Sequence, residues 1–148
     1  MTTRTLLSLF AFALGIFART ADDSDVVSIA KKVFDGMAAR DTGMIRSTLM
    51  PEARFYSMRG DAPPVSTSAE DFIAHLASVQ GTLLERFTGQ PKVLVHGRIA
   101  QVWGEYEFLR DGKFVHCGLD SFSLFKTSEG WKIAAIAYTA DTTGCPGH

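Results

Sequence analysis

Glu107, His116 and Asp120 are the residues of this sequence whose types and spacing best suit acid–base chemistry. An imidazole titrates near neutral pH, and a neighbouring carboxylate raises its basicity and fixes its tautomer, as a general base requires. A partly buried carboxyl such as that of Asp120 can stay protonated and donate a hydrogen bond. We therefore take His116 and Asp120 as candidate catalytic residues.

Whether these residues meet depends on the pairing of two predicted strands around Asp111-Gly112, a strong signal for a two-residue hairpin turn. Counting outward from that turn pairs Leu109 with Phe114, Glu107 with His116 and Trp103 with Asp120. Directly opposed residues share a face of a sheet, whereas a slip of one residue would exchange the two faces. The pattern predicts that Trp103 and Asp120 are neighbours on the concave face.

Further candidates for binding a ligand share this face or lie close to it. They are Tyr56, His75, Trp103, Glu105, Glu107 and Phe122. Two structural alternatives stay open, because Glu107 and His116 could form a solvated cross-strand pair and His75 could sit at the edge of the core. No cluster of His and Cys has zinc-ligand spacing, so we expect neither a metal nor a cofactor.

Three helices precede most of the strands in the predicted order. Apolar residues at spacings of three and four indicate the first helix, and its inward residues are Val26, Ala30, Val33, Phe34 and Met37. Asp41 is the expected cap of a short second helix that ends before Pro51. The capping-box sequence Thr67-Ser68-Ala69-Glu70 opens the third helix, whose inward residues are Phe72, Ile73, Leu76 and Val79.

The second half of the chain alternates between apolar and polar residues, which is typical of strands. The predicted strands are Ala53–Met58, Leu83–Phe87 with Lys92–Val95, Ile99–Leu109, Phe114–Lys126 and Trp131–Thr139. This order predicts an α+β fold in which three N-terminal helices pack on a curved antiparallel sheet.

Composition limits the domain count and the class of partner. The chain has 148 residues, 46% of them hydrophobic and 21% charged, with a formal net charge of −1. These values suit one globular domain over residues 21–148 and exclude a disordered or coiled-coil chain. A strongly basic face, which nucleic-acid binding requires, is not expected.

The first 20 residues resemble a signal peptide. Arg4 precedes the uncharged apolar run Leu6–Phe17, which is shorter than the about 20 residues that span a bilayer. We expect a secreted or periplasmic protein that contacts the membrane only during export, with a buried N-terminal helix as the alternative. Cys117 and Cys145 could form one disulfide there, but we expect free thiols. The second hairpin would pair Cys117 with Ala140 and leave Cys145 five residues beyond that register.

Several short motifs, in this order and spacing, resemble the NTF2-like superfamily and within it the SnoaL-like branch. They are Leu49-Met50-Pro51-Glu52-Ala53-Arg54-Phe55, Ile99-Ala100-Gln101-Val102-Trp103-Gly104-Glu105-Tyr106, His116-Cys117-Gly118-Leu119-Asp120-Ser121-Phe122 and Gly130-Trp131-Lys132-Ile133. The resemblance covers residues 24–140 and implies a cone-shaped α+β barrel with a pocket between sheet and helices, usually dimeric through the outer sheet.

The superfamily includes ketosteroid isomerases, limonene epoxide hydrolases, polyketide cyclases and many proteins that only bind a ligand, so fold alone does not select a function. The isomerases would need an aspartate base on the strand that here reads Arg54-Phe55-Tyr56-Ser57. The epoxide hydrolases would need an Arg–Asp pair on one strand, and no arginine lies beside Glu105 or Glu107 to form one.

These observations lead to an expectation with two alternatives. We expect an exported homodimer that binds a small, largely apolar molecule in its cone-shaped pocket. The first alternative is an isomerase, hydratase or cyclase that uses His116 and Asp120 as acid and base, and the second is an accessory module that binds another protein. A dimer is expected because one face of the sheet looks too apolar to stay in water; its residues are Val102, Tyr106, Phe108, Leu119 and Phe125.

Overall fold

The computed structural model describes residues 21–148. The predicted signal peptide, residues 1–20, lies outside the described residues. The helices are α1 (Ala21–Ala39), α2 (Thr42–Thr48) and α3 (Ala69–Ser78). In the described part of the chain, no helix combines the length and the hydropathy needed to cross a membrane.

The helices form where the sequence predicts them. All five residues expected on the inward face of α1 are buried. Asp41 caps α2, since its carboxylate accepts a hydrogen bond from the Met44 amide at 2.8 Å. The cap of α3 lies one residue later than the capping box predicts, because the Ser68 hydroxyl, not that of Thr67, accepts from the Asp71 amide.

The strands build one sheet. They are β1 (Leu49–Met58), β2 (Val65–Ser68), β3 (Leu83–Phe87), β4 (Lys92–His96), β5 (Ile99–Arg110), β6 (Lys113–Thr127) and β7 (Gly130–Thr139). The strand order is β2-β1-β7-β6-β5-β3, and β4 pairs with the other end of β5. The α+β class is confirmed, with α1 packed on β3, β4, β5 and β7, and α3 packed on β1.

Two details of the predicted architecture are wrong. The sheet is curved but does not close into a barrel, because β2 at one edge does not pair with β3 or β4 at the other. It is also not wholly antiparallel, since β1 and β7 run parallel. That pairing joins strands far apart in sequence, so no turn signal predicts it.

The central hairpin contains a β-bulge that shifts its register by one residue. Asp111 and Gly112 have φ of 51° and 73°, as a two-residue turn requires, and Leu109 pairs with Phe114 as predicted. Val115 is then the extra residue of β6, so His116 faces Phe108 and not Glu107.

As a result of the bulge, the predicted pairing of Trp103 with Asp120 is wrong. Trp103 pairs with Ser121 and Asp120 pairs with Gly104, so the two side chains lie on opposite faces of the sheet. The apolar face proposed for the dimer is also wrong in its membership. Val102 and Tyr106 are buried on the concave side, and Phe108 lines the cavity described below.

A second bulge affects the hairpin of β6 and β7. Leu124 pairs with Ile133, but the register then shifts by one residue so that Phe122 pairs with Ile136. Ile136 and Tyr138 therefore face the interior and line the cavity described below.

The C-terminal tail is held against the outer face of the sheet. Cys117 and Cys145 form a disulfide with Cα atoms 5.8 Å apart, so the expectation of free thiols is wrong. The backbone of Cys117 pairs with Asp141, one residue later than predicted, and the tail then turns back far enough for Cys145 to reach. His148 lies on Phe114 and its Nε2 is 3.0 Å from Glu107 Oε2.

Candidate functional site

A cavity of about 260 Å³ lies between the helices and the concave face of the sheet. Most of its wall is apolar and includes Phe34, Phe55, Phe72, Phe108, Phe122 and Ile136. The polar residues that reach it are Arg59, His75, Glu85, Arg110, His116, Asp120 and Tyr138. An apolar chamber with a few convergent polar groups is the usual form of a small-molecule site.

Asp120 is the most deeply buried polar residue of this cavity. The residue is 2% exposed, and its Oδ2 has no hydrogen-bond partner among the described residues. Burial raises the pKa of its carboxyl well above the ordinary range, and the nearby Glu85 carboxyl raises it further. A protonated carboxyl in this position can donate a hydrogen bond to a ligand oxygen.

Glu85 is a second acid of the cavity, and it is not among the candidate residues expected from the sequence. It stands on β3 opposite Phe108, which in turn faces His116 on β6. Burial raises the pKa of its carboxyl to about 8. A signal for it exists in the sequence, because Leu83, Glu85 and Phe87 share one face of a strand whose apolar members point inward.

His116 is held in one tautomer by a chain of hydrogen bonds. The Tyr106 hydroxyl donates to the Thr139 carbonyl at 2.7 Å and lies 3.2 Å from His116 Nδ1. Because the hydroxyl has a single proton, His116 Nδ1 must be the donor in the second contact, which leaves Nε2 with a free lone pair. Gly118 permits this arrangement, since a Cβ there would lie 2.1 Å from the Thr139 carbonyl oxygen.

His116 is a neutral base at neutral pH. Burial lowers the pKa of the imidazole, and the Arg59 guanidinium lowers it further. The ring also stacks on Phe108, with centroids 4.9 Å apart. A fixed tautomer with a free Nε2 is the form in which histidine can accept a proton.

His116 and Asp120 do not contact each other directly. They are four residues apart on one face of β6, with Gly118 between them, which separates their Cα atoms by about 13 Å in an extended strand. No hydrogen bond joins their side chains in residues 21–148. The two side chains therefore reach separate parts of the cavity wall.

The other candidate residues divide between the two faces of the sheet. His75 and Phe122 line the cavity. Trp103, Glu105, Glu107 and Tyr56 do not: the bulge at Val115 puts the first three on the outer face, and Tyr56 points away from its buried neighbour Phe55.

Glu107 forms ion pairs on the outer face. Its carboxylate binds Arg86 at 2.6 Å and His148 at 3.0 Å, and these partners lower its pKa. These ion pairs hold β3 and the C-terminal tail against β5. The expected cross-strand pair of Glu107 with His116 does not form, because Glu107 faces Cys117. In the described part of the chain, no three His, Cys, Asp or Glu residues are grouped so that they could hold a metal ion.

No protein-family model matches the sequence, and no curated protein matches it. Solved structures do match the fold. An NTF2-like superfamily protein from Salmonella enterica has a TM-score of 0.68 at 11% identity, over 88% of this chain and 99% of that one. A protein with a cystatin-like fold from Nostoc punctiforme has a TM-score of 0.68 at 8% identity, over 84% and 95%.

A third match is described as a proposed dehydratase from the NTF2-like family, from Streptomyces avermitilis. Its TM-score is 0.67 at 16% identity, over 84% of this chain and 99% of that one. The predicted resemblance to the NTF2-like superfamily is confirmed, and the chain has the NTF2-like, cystatin-like fold. At these identities the likeness concerns the fold alone.

The raised pKa of Glu85 predicts a pH-dependent stability. The folded protein holds this proton up to about pH 8, whereas the unfolded chain releases it near 4.5. The contribution of Glu85 to the free energy of unfolding should therefore be greatest below pH 4.5 and fall as the pH rises to about 8. Glu85→Gln stays neutral, so it should remove that fall and stabilise the protein at pH 8 by about 4 kcal/mol, as the difference between pKa values of 4.5 and about 8 provides. Urea unfolding across this pH range measures the effect.

Glu105→Gln is the matched control, because Glu105 is exposed on the other face of the sheet. It should leave the pH profile unchanged. A profile that is the same for the wild-type protein and Glu85→Gln would contradict a buried, protonated Glu85.

Proposed function

We propose that this protein binds a small, largely apolar molecule with at least one oxygen atom in the cavity between the helices and the sheet. The observation that carries the proposal is the Asp120 carboxyl, which is 2% exposed and whose Oδ2 has no hydrogen-bond partner among residues 21–148, beside an apolar cavity of about 260 Å³. An unsatisfied buried polar group costs about 1–3 kcal/mol. A carbonyl or hydroxyl of a bound molecule would recover part of that free energy.

A second candidate function is acid–base catalysis in the same cavity, as an isomerase, hydratase or cyclase. The fixed tautomer of His116 supports it, because Nε2 would face the cavity as a base while the Asp120 carboxyl donates to a carbonyl oxygen. In such a step, Nε2 takes a proton from the carbon next to the carbonyl and the enolic oxygen is stabilised by Asp120. The dehydratase activity proposed for the Streptomyces avermitilis protein would be a reaction of this class.

We also propose that the protein is exported to the cell exterior or the periplasm. The apolar run Leu6–Phe17 supports export, and the Cys117–Cys145 disulfide is of a kind that persists in oxidising compartments. Membership of the SnoaL-like branch is likewise a proposal and rests on the sequence motifs.

The proposed homodimer would use the outer face of the sheet. Four large apolar residues are exposed there: Leu94 by 73%, Ile99 by 55%, Trp103 by 50% and Phe125 by 41%. A patch of this kind favours contact with a second copy of the chain.

Binding of N-phenyl-1-naphthylamine, a neutral apolar fluorophore, tests the proposed cavity site. The dye should bind saturably with an increase in fluorescence. Val115→Trp should weaken binding at least tenfold, because Val115 lines the cavity and is 40% exposed, so an indole there would block the entrance without disturbing the core. Fluorescence titration at constant protein concentration measures both affinities.

Leu94→Trp is the control for that substitution, since Leu94 is exposed on the opposite face. It should leave the affinity unchanged. Equal binding by both variants, or no saturable binding by the wild-type protein, would contradict the proposed site.

Exchange of the α-protons of 2-tetralone for deuterium in D₂O tests the catalytic alternative. The protein should accelerate this exchange, and His116→Gln should remove most of the acceleration because it removes the base. His96→Gln, on the exposed end of β4, should exchange like the wild-type protein. NMR signal loss measures the rate, and equal rates in all three proteins would exclude His116 as the base.

A further inference from the structure

Two arginines that line the cavity, Arg59 and Arg110, have no hydrogen-bond or ion-pair partner for their side chains within residues 21–148. Arg59 follows the end of β1 and Arg110 ends β5, and both side chains are exposed and line the cavity. The pairing of the sheet makes β1 parallel to β7 and β7 parallel to β5. The C-terminal ends of β1 and β5 therefore lie at the same end of the sheet, where both arginines are exposed and line one cavity.

Among the arginines of residues 21–148, only Arg59 and Arg110 lack a partner for the side chain. Every other arginine there donates to a carbonyl, a hydroxyl or a carboxylate: Arg40, Arg46, Arg54, Arg86 and Arg98. Neither Arg59 nor Arg110 has such a contact from its side chain in the described part of the chain. Two planar cationic forks are thus free to bind an anion where the cavity meets water.

The interior of the cavity has the opposite character. Asp120 and Glu85 are the acids of its wall, and aromatic side chains such as Phe34 and Phe72 lie along it. An anion placed deep in the cavity would lose its hydration among aromatic side chains and would find no cation there to compensate it among the described residues, which is costly. The same anion at the entrance would meet Arg59 and Arg110. The charges therefore define one orientation for a ligand that is polar at both ends.

We propose that the cavity takes a small apolar carboxylic acid, with its carboxylate bound by Arg59 and Arg110 at the entrance and a distal hydroxyl or carbonyl oxygen against Asp120. The proposal rests on the proposed function and adds to it the chemical class and the orientation of the ligand. A carboxylate suits the site because its two oxygens match the donor fork of a guanidinium group.

The test compares two fluorescent probes with the same ring system, 6-hydroxy-2-naphthoic acid, which is an anion at neutral pH, and its methyl ester, which is neutral and larger by one methyl group. At low ionic strength the acid should bind the wild-type protein about tenfold more tightly than the ester, as about 1.4 kcal/mol from charge-assisted hydrogen bonds provides. In the double variant Arg59→Gln/Arg110→Gln the acid should bind no better than the ester. The affinity of the ester should change less than twofold.

The control is the double variant Arg54→Gln/Arg98→Gln, which removes the same charge from exposed arginines that do not line the cavity. It should keep the tenfold preference for the acid. If the control loses the preference as well, the effect comes from the overall charge and the inference is overturned.

The outcomes also separate this inference from the proposed function. Equal binding of acid and ester, both blocked by Val115→Trp, would overturn the carboxylic-acid inference and leave the cavity site standing. Failure of both probes to bind would overturn the inference too, and the titration with N-phenyl-1-naphthylamine would then decide whether cavity binding itself stands.

Discussion

The bulge at Val115 decides which side chains of the central hairpin face the cavity. One extra residue in β6 moves every partner beyond it by one position, so that Phe108, His116 and Asp120 face inward while Trp103 faces outward. The chemistry of the site depends on this register. Without the bulge, Asp120 would share a face with Trp103 and not with Phe108.

The helices could be predicted from sequence because their signals are local. Val26 and Met37 follow the helical period, and Asp41 caps α2 through its own side chain. The bulge has no comparable signal, because strict alternation along β6 puts the apolar residues Val115, Cys117 and Leu119 on one face and the apolar residues Phe114, Phe122 and Leu124 on the other. Because both faces are apolar, the hydrophobic pattern does not distinguish the two possible registers of the hairpin.

The candidate site was accordingly predicted only in part. His116 and Asp120 reach the cavity, but the partner of His116 is Tyr106 and not Glu107. Arg59 and Arg110 are 51 positions apart in the chain, and only the parallel arrangement of β1 and β5, by way of β7 and β6, puts them at the same end of the sheet. Burying an acid such as Asp120 lowers the free energy of unfolding. Its carboxyl borders the cavity, where we propose that it binds a ligand oxygen. Local rules are most often broken at functional sites.

NMR of the side-chain carboxyl carbons would show whether Asp120 is a neutral carboxyl that faces the cavity. The Asp120 resonance can be assigned by its absence from the spectrum of Asp120→Asn. Because burial raises the pKa of this carboxyl, the resonance should keep the chemical shift of a protonated carboxyl at neutral pH. A resonance that titrates near the ordinary aspartate pKa of 3.8 would instead show an ionised, solvated carboxylate, and the cavity would then hold no neutral acid on β6.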